Sequence, residues 1–396
     1  SSSPSQTFKI VVKPRIIEVP SSTPHEKDSP VDPNGDTPEL KWPEGLAESD
    51  LNTTAKRVIS YVKKDSDTAA EEKAKDDTVQ TVPFARKATV NLVTKEVSYT
   101  DWESPNKTWD KVGVDVLPGY IADKKEIPAK EAATPAKDTK VIPDETDKVT
   151  YTKIGSWIPV DPTTGKDGDS IPFPNDPNDP TKTGEITQII PHKDGYTPKD
   201  GNGQPLKPVD PNDPTKGYEV PNVPTDPGKD TVINYEANDA NLVVKYVDEN
   251  GKELKPTETT KGKVGDEYTT EGKVIDGYVL VRVEGEAKGK IGKDGSTVTY
   301  VYKPLGSWVP NIPGQPTDPI KYPNDPTDPT KPGKDKPVLP YVPGYTPKDK
   351  DGNPLKPVDP NDPTKGYEVP SIPTDPGQDT PINYVANKAN LVVKYV

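Results

Sequence analysis

The residues with the most regular chemical spacing are aspartates in a proline-rich string that occurs twice. PVDPNDPTKGYEVP occupies residues 208–221 and returns unchanged at 357–370. Its DPNDPT core sets carboxylates at short spacing, and carboxylate oxygens are ligands that Ca²⁺ prefers. Proline interrupts the loop, however, and the glycine and distal glutamate of an EF-hand are missing. Asx turns are therefore the preferred interpretation, and a calcium site is the alternative.

The sequence has no other catalytic or metal-ligating pattern. There is no cysteine, which removes disulfides, thiolate nucleophiles and zinc–thiolate clusters. The two histidines, His25 and His192, lie in separate proline-rich contexts and are expected to be solvated loop residues. No nucleophile elbow, phosphate loop or HExxH motif occurs. We predict a chain that is not an enzyme and has no catalytic, cofactor or metal site. The sequence assigns no ligand-binding residue.

Composition limits the size of a core and the class of partner. Hydrophobic residues make up 29% of 396, against a usual ~45–50%, and proline reaches 51. Several small cores separated by polar connectors fit better than one large core. The net charge of −13 makes nucleic acid a poor partner. No run approaches the ~20 apolar residues that insert into a membrane.

A long internal repeat organises the second half of the chain. Residues 195–247 recur at 344–396 with nine differences in 53 positions, and GSWIP at 155 matches GSWVP at 306. Repeats of this length indicate tandem structural units. The second copy stops within NLVVKYV, so 390–396 is expected to be a strand without its partner. Without an initiator methionine, signal peptide or sorting tail, the chain is expected to be a fragment.

The strands are most readable in the segment that follows the first NLVVKYV. NLVVKYVDENGKEL, at 241–254, alternates apolar and polar residues around an Asn-Gly turn and predicts a β-hairpin. Strands are also predicted at 274–285 and 296–303. Asp266 is a candidate N-cap for a short helix between them. The order β-β-short α-β-β is that of an α+β module with a helix across one face of its sheet.

An earlier stretch predicts a larger module. Strands are expected at 54–62, 114–123 and 147–153, and a hairpin at 81–102, which is rich in β-branched and aromatic residues.

Two short helices are predicted within this larger module. Ser104 as N-cap and Pro105 at the first helical position predict a helix over 104–112. The charged stretch DSDTAAEEKAKDD, at 65–77, predicts one or two turns of exposed helix.

The proline-rich segments predict extended connectors. Each proline fixes φ and removes a donor, and the residue before it is pushed towards extended conformations. Such a segment rises ~3.1 Å per residue where it is polyproline-like. Residues 155–240 are therefore expected to be partly ordered, extended and poor in helix.

Aromatic side chains are the remaining candidates for ligand contact. Trp157 and Trp308, in the repeated GSW motif, are predicted to plug the junction between a module and its connector, with ligand contact as the alternative. An exposed aromatic flanked by Asn or Asp would be a platform for a sugar. Core positions are predicted for Trp102, Trp109, Tyr120 and Tyr278.

These sequences resemble the mucus-binding repeat adhesins of lactic-acid bacteria. LVVKYVDENGKEL, GKVGDEYTTEGKVIDGYVLV and STVTYVYKPLGSW are similar to that family's MucBP module, and LNTTAKRVISYV, TVPFARKATVNLVTKEVSYTDW and LPGYIADK to its B2 module. The resemblance implies ubiquitin-like β-grasp modules on a long surface protein anchored to the cell wall, and a β-hairpin where 65–77 lies. It also implies binding to mucin glycoproteins and, in some members, to immunoglobulins.

The sequence and the resemblance together predict a β-rich α+β chain of tandem β-grasp modules joined by extended proline-rich segments, elongated overall. The predicted parts are a closing strand of a preceding module (1–14), a linker (15–50), a B2-like module (51–154), a proline-rich segment (155–240), a MucBP-like module (241–305), a second proline-rich segment (306–389) and the first strand of a truncated module (390–396).

Two functions fit this organisation. The first is an adhesin that binds host mucin glycoproteins or their glycans through repeated weak contacts. The second is a stalk without ligand binding of its own, and immunoglobulin binding is a further alternative. No cofactor is expected. The expected location is extracellular, on a bacterial cell surface, with anchoring to the cell wall in the full-length protein.

Overall fold

The computed structural model describes residues 3–8 and 15–396, which are almost entirely strands and loops. Their only α-helix is α1 (Glu48–Leu51), and two single 3-10 turns lie at Pro214–Lys216 and Pro363–Lys365. The predicted β-rich character is confirmed. The described residues fall into two compact units. The first unit consists of Ser1–Ile190, Asp200–Val209 and Tyr218–Asn234. The second unit consists of Pro191–Lys199, Asp210–Gly217 and Tyr235–Val396.

The longest strands lie outside the proline-rich segments. Up to residue 237 the strands are β1 (Ile16–Val19), β2 (Asn52–Lys64), β3 (Glu72–Ala85), β4 (Ala88–Asn91), β5 (Val97–Tyr99), β6 (Thr108–Trp109), β7 (Val112–Gly113), β8 (Tyr120–Ala122), β9 (Glu126–Ile127), β10 (Lys130–Glu131), β11 (Glu145–Lys153), β12 (Ser156–Pro159), β13 (Ile171–Pro172), β14 (Ile189–Ile190), β15 (Tyr196–Lys199), β16 (Tyr218–Glu219) and β17 (Thr231–Ala237). Beyond it they are β18 (Asp239–Asp248), β19 (Glu253–Lys263), β20 (Glu267–Thr269), β21 (Tyr278–Glu284), β22 (Lys288–Lys290), β23 (Ser296–Pro304), β24 (Ser307–Asn311), β25 (Ile320–Lys321), β26 (Val338–Leu339), β27 (Tyr345–Lys348), β28 (Tyr367–Glu368) and β29 (Thr380–Ala386).

Three four-stranded sheets share one strand order. They are β3-β2-β11-β8, β19-β18-β23-β21 and β25-β24-β29-β27. In each, the two central strands run parallel and the outer strands pair antiparallel to them. In the first unit, β13-β12-β17 repeats this arrangement with β12 and β17 parallel. The first and last strands of each module are therefore neighbours at the centre of its sheet.

The strands form where the sequence alternates apolar and polar residues. In β18 the buried residues are Ala240, Leu242, Val244 and Tyr246, which point to one face of the sheet. The hairpin predicted at 241–254 is confirmed by the pairing of β18 with β19. The strands predicted at 54–62, 147–153, 274–285 and 296–303 correspond to β2, β11, β21 and β23. Within 81–102 the hairpin is β4–β5.

The three predicted short helices are wrong. Residues 65–77 instead form the turn of the β2–β3 hairpin and the start of β3, the hairpin that the family resemblance implied. In 104–112, the Asn106 side chain accepts the Thr108 N–H, and β6 pairs with β10. The Asp266 carboxylate accepts the Lys263 N–H in a turn before β20. Helices this short have little intrinsic stability, so tertiary pairing decides their conformation.

The prediction of extended proline-rich connectors is also wrong. Residues 306–386 carry the sheet β25-β24-β29-β27 and the small sheet β26-β28. Their core is formed by Trp308, Tyr322, Leu339, Ile382 and Tyr384. A few large aromatic side chains bury enough area for a small core despite the low apolar content.

The tryptophans of the GSW motif are buried core residues. The core that contains Trp308 also includes Val279 of β21 and Leu305, so it extends to the junction with the preceding module, where the sequence predicted this tryptophan. Trp157 is fully buried, packs edge-on against Phe173 and donates from Nε1 to the Pro221 carbonyl at 2.9 Å. Trp308 repeats the arrangement with Tyr322 and the Pro370 carbonyl, again at 2.9 Å. Each indole therefore closes a loop of more than sixty residues.

The predicted linker at 15–50 packs against the hairpin β4–β5. Strand β1 pairs with β4, and Val19, Trp42 and Leu46 are buried with Val90 and other residues of that hairpin. It is therefore not an extended linker, because its few apolar side chains have a partner surface further along the chain.

The two ends of the chain carry little regular structure where it is described. The strand predicted in 1–14 falls mostly on 9–14, outside the described residues, and residues 3–8 have no strand. Residues 387–396 form no strand, and Leu391 and Tyr395 are exposed. The partnerless strand predicted at 390–396 stays a prediction.

Replacing Trp308 with alanine should unfold the 306–386 module locally. Truncating a buried Trp removes about 3–5 kcal/mol of stability, which exceeds what a core this small can lose. The measurement is hydrogen exchange of the β24 and β29 amides in the full chain. Tyr341→Ala, at a tyrosine that is 38% exposed, is the control. Unchanged exchange in W308A would show that the segment does not depend on this core.

Three buried tyrosines predict loss of stability at high pH. Burial raises the pKa of Tyr151, Tyr302 and Tyr384 to about 12 from 10.0. Because the folded pKa lies above the unfolded one, their contribution is complete below pH 10 and declines as the pH rises towards 12. Tyrosinate absorbance and circular dichroism should therefore change together in that range. Full tyrosine ionisation below pH 10 in the folded chain would contradict this.

Candidate functional site

Asp276 and Tyr278 lie in a tight turn that opens the third strand of the β18–β23 sheet. The Tyr278 N–H donates to the Ile275 carbonyl at 3.0 Å, and Gly277 has φ of 78°, a conformation that glycine adopts without strain. The turn leaves Asp276 exposed and Tyr278 half-buried, with part of its ring packed on the core.

A cleft of about 490 Å³ opens beside this turn. Two of the side chains that line it are held in place by hydrogen bonds to backbone carbonyls. The Lys321 ammonium donates to the Leu305 carbonyl at 2.9 Å, and the Tyr322 hydroxyl donates to the Gln378 carbonyl at 2.7 Å. The cleft is lined by Asp276, Gly277, Tyr278, Pro304, Lys321, Tyr322, Pro323 and Asn324.

The chemistry of this cleft suits a polyhydroxylated ligand. The Tyr278 ring offers a face for the C–H groups of a sugar, and the Asp276 carboxylate accepts hydrogen bonds from hydroxyls. An aromatic flanked by Asp or Asn is the arrangement that the sequence analysis names as a sugar platform, whereas the sequence predicts a core position for Tyr278. The neighbour that sequence reasoning missed is Asn324, which lies 46 residues further on and approaches only in the fold.

A second cleft, of about 500 Å³, lies in the first unit beside β3 and β5. Its rim is polar, and Lys87 is paired with Glu18 at 3.4 Å. It is lined by Ser21, Ala85, Arg86, Lys87, Thr100, Glu103, Ser104 and Pro105.

Arg86 forms the floor of the second cleft and is held by the protein itself. It is 3% exposed, and its guanidinium donates to the carbonyls of Asp50 and Lys137. The same group lies over the rings of Tyr99 and Trp102, with 3.6 and 4.2 Å to the ring centroids. Burial lowers the pKa of Arg86. Its donors and its charge therefore serve the fold, and we rank this cleft below the one at Tyr278.

The histidines lie in loops but are not fully solvated as predicted. His25 stacks on Trp42 with 4.1 Å between ring centroids, and burial lowers its pKa. The Nε2 of His192 lies 3.0 Å from Asp194 Oδ1, and the side chain is 21% exposed. The aromatic neighbour of His25 lies further along the chain, at Trp42, whereas Asp194 is a local neighbour of His192.

The repeated aspartates form Asx turns, as the preferred interpretation predicted. Asp210 Oδ1 accepts the Asn212 N–H at 2.9 Å, and Asp213 Oδ1 accepts the Thr215 N–H at 3.1 Å. The Lys216 ammonium donates to Asp210 and lowers the pKa of that carboxyl. Among the described residues, no three His, Asp or Glu side chains are grouped to hold a metal ion. The described part of the chain also contains no helix with the length and apolarity to cross a membrane.

Two family models match separate parts of the chain. The MucBP domain model matches residues 241–303, which include the Tyr278 turn. The Muc B2-like domain model matches residues 46–155, which include Arg86. MucBP domains are not a family of enzymes. The resemblance seen in the sequence is confirmed for these two segments.

Curated proteins match over short stretches. Internalin J of Listeria monocytogenes is 48% identical over 61 residues, which is 15% of this chain and 7% of that protein. The muramidase-released protein of Streptococcus suis is 39% identical over 97 residues, which is 22% of this chain and 8% of that protein. The chain thus spans less than a tenth of the length of either relative.

Solved structures with similarity include two single domains. The mucin-binding domain of a Streptococcus pneumoniae protein is 29% identical with a TM-score of 0.21, and the match covers 26% of this chain and 92% of that one. The MucBP domain of an adhesion protein from Pediococcus pentosaceus is 27% identical with a TM-score of 0.22, and covers 26% and 98%.

Replacing Arg86 with alanine should destabilise the domain that contains β2 and β11. The change removes charge-assisted bonds to two carbonyls and the contacts with two rings, which together contribute about 2–4 kcal/mol. The measurement is the urea midpoint of that domain's transition in the full chain. Lys87→Ala, at the exposed neighbouring position, should leave the midpoint nearly unchanged. Wild-type stability of the R86A variant would contradict this structural role, and Arg86 would then be a candidate for ligand binding.

Proposed function

We propose that this chain, which carries a MucBP domain and a Muc B2-like domain, is part of a bacterial surface adhesin that binds mucin glycoproteins through their glycans. The observation that carries the proposal is the MucBP match at 241–303, because it includes the Tyr278 turn, which forms one wall of the cleft. The opposite wall comes from residues 321–324 of the following module. The curated relatives are adhesin-like surface repeat proteins, which supports the same class of function.

The cleft at Tyr278 supplies the chemistry for this binding. One ring face and one carboxylate offer few contacts, so the cleft would hold a single sugar weakly. Two domains on one chain raise the overall affinity where both reach the same mucin, by up to ~10²–10⁴-fold. Weak sites displayed together therefore suit a ligand that is itself a dense array of glycans.

The proposal includes the fold and the location of the modules. The shared strand order with a parallel central pair supports β-grasp modules. Glycoprotein binding requires an extracellular location, and anchoring to the cell wall would keep the modules at the bacterial surface.

A spacer is the second candidate function. The observation that favours it is that both proline-rich segments are folded, with the buried Trp157 and Trp308 at equivalent positions. Folded modules that follow the Muc B2-like domain and the MucBP domain in sequence would serve as spacers without binding a ligand of their own.

The test is binding of the full chain to immobilised mucin, intact and enzymatically deglycosylated, with immobilised immunoglobulin as a comparison surface. Binding to intact mucin that is lost with the glycans is the expected result. Tyr278→Ala and Asp276→Asn should each weaken it about fivefold or more, because each removes one of the sugar contacts. Tyr341→Ala, at an exposed tyrosine of the following module, is the matched control.

Three outcomes would count against the proposal. Equal binding to deglycosylated mucin would point to the protein core of mucin as the target. Wild-type binding by both Tyr278 and Asp276 variants would remove the cleft as the site. An absence of binding even when many copies are displayed on a bead would leave the spacer as the better account.

A further inference from the structure

One contact occurs twice, between a proline-rich module and the domain that precedes it. In the first unit, the Asn175 side chain meets the turn that opens β8. Its Oδ1 accepts the Gly119 N–H at 2.8 Å, and its Nδ2 donates to the carbonyls of Leu117 and Tyr120 at 3.3 and 2.8 Å. All polar atoms of one side-chain amide are thus used on three backbone groups of one turn.

The second unit repeats the contact at the turn that opens β21. Asn324 Oδ1 accepts the Gly277 N–H at 2.8 Å, and its Nδ2 donates to the carbonyls of Ile275 and Tyr278, both at 2.9 Å. The partner domain differs, since it is the MucBP domain here and the Muc B2-like domain in the first unit. The backbone atoms that are recognised are the same.

A fourth hydrogen bond, between backbone groups, is made by the residue five positions after each asparagine. The Pro180 carbonyl accepts the Ala122 N–H at 2.8 Å, and the Pro329 carbonyl accepts the Leu280 N–H, also at 2.8 Å. The loop thereby pairs with the first residues of the third strand as well as with the turn before it. Each junction therefore uses four hydrogen bonds between the same two elements.

The loop that carries these groups is held in one shape by Asx turns. In the second copy, Asp325 accepts the Thr327 N–H at 2.8 Å and Asp328 accepts the Thr330 N–H at 2.9 Å. Gly333 lies against the Asn324 carbonyl, where a Cβ would approach to 2.4 Å. The loop is thus preorganised, which lowers the entropy lost when it docks.

The turn itself is common to all four modules of the chain. The turns before β15 and β27 have the same hydrogen bond, from Tyr196 to Lys193 and from Tyr345 to Val342, both at 3.1 Å. Their glycines, like Gly119 and Gly277, have φ near 80°. Among the described residues, by contrast, the loop with its asparagine occurs only in the two proline-rich modules, so the loop determines where the contact forms.

We propose that the loops at 174–184 and 323–333 are docking elements that recognise the glycine–tyrosine turn of whichever domain precedes them. Asn175 and Asn324 are the positioning residues of this contact. An asparagine is required, because its amide accepts one bond and donates two, whereas a carboxylate donates none. As a consequence, a proline-rich module and its preceding domain behave as one rigid body rather than as two domains joined by a flexible linker.

The test is amide hydrogen exchange of the full-length 396-residue chain carrying single substitutions. Asn324→Ala should speed exchange of the Gly277 and Leu280 amides about tenfold, the effect of losing bonds that together contribute somewhat over 1 kcal/mol. Asn324→Asp should do the same, since it keeps the acceptor and loses both donors. Asn361→Ala, at an exposed position in the other Asp-Pro string of the same module, is the matched control.

The first unit offers an internal replicate. Asn175→Ala should affect the Gly119 and Ala122 amides and leave those of Gly277 and Leu280 unchanged. Retained protection of the β24 and β29 amides in the Asn324 variants would show that the module is still folded.

Two results would overturn the proposal. One is wild-type exchange at Gly277 and Leu280 in N324A or N324D. The other is an equal acceleration in N361A. The readout does not involve mucin, so its outcome is independent of the binding test on Tyr278 and Asp276.

Discussion

Parallel pairing of the first and last strand of a module organises this protein. β2 with β11, β18 with β23 and β24 with β29 each join segments that are far apart in sequence. A parallel pair requires a long crossover connection, so everything between the two strands must return across the sheet. That connection contains the third strand and the glycine–tyrosine turn before it. The candidate ligand site and the docking contact both lie at that turn because the topology places it at the sheet edge.

The high proline content of these modules does not prevent them from forming a folded core. In the 306–386 module, prolines and Asx turns determine the loops, and the core depends on a few aromatic side chains such as Trp308 and Tyr322. Each aromatic tip also has a backbone partner, as when the Trp308 indole donates to the Pro370 carbonyl. Buried polar atoms that are satisfied in this way stabilise a core too small to tolerate an unpaired one.

The same turn has two uses in the MucBP domain. Its backbone is bound by Asn324, while its side chains, Asp276 and Tyr278, line the cleft. A turn held by three hydrogen bonds presents its side chains in a fixed geometry, and a weak site gains from that because less entropy is lost on binding. The docked module would therefore support ligand binding without contacting the ligand through Asn324 itself.

The sequence alone determined the features that depend on neighbouring residues. Period-two alternation predicted the long strands β2, β18 and β23, the Asn-Gly turn predicted the hairpin partner of β18, and the Asp-Pro strings predicted Asx turns. Only the tertiary structure decided the rest. The Asn324 amide finds its partners 46 to 49 residues earlier in the chain, and Trp308 finds its own 62 residues later. The segments 104–112 and 15–50 likewise take their structure from strand pairing with β10 and β4, which local propensity did not predict.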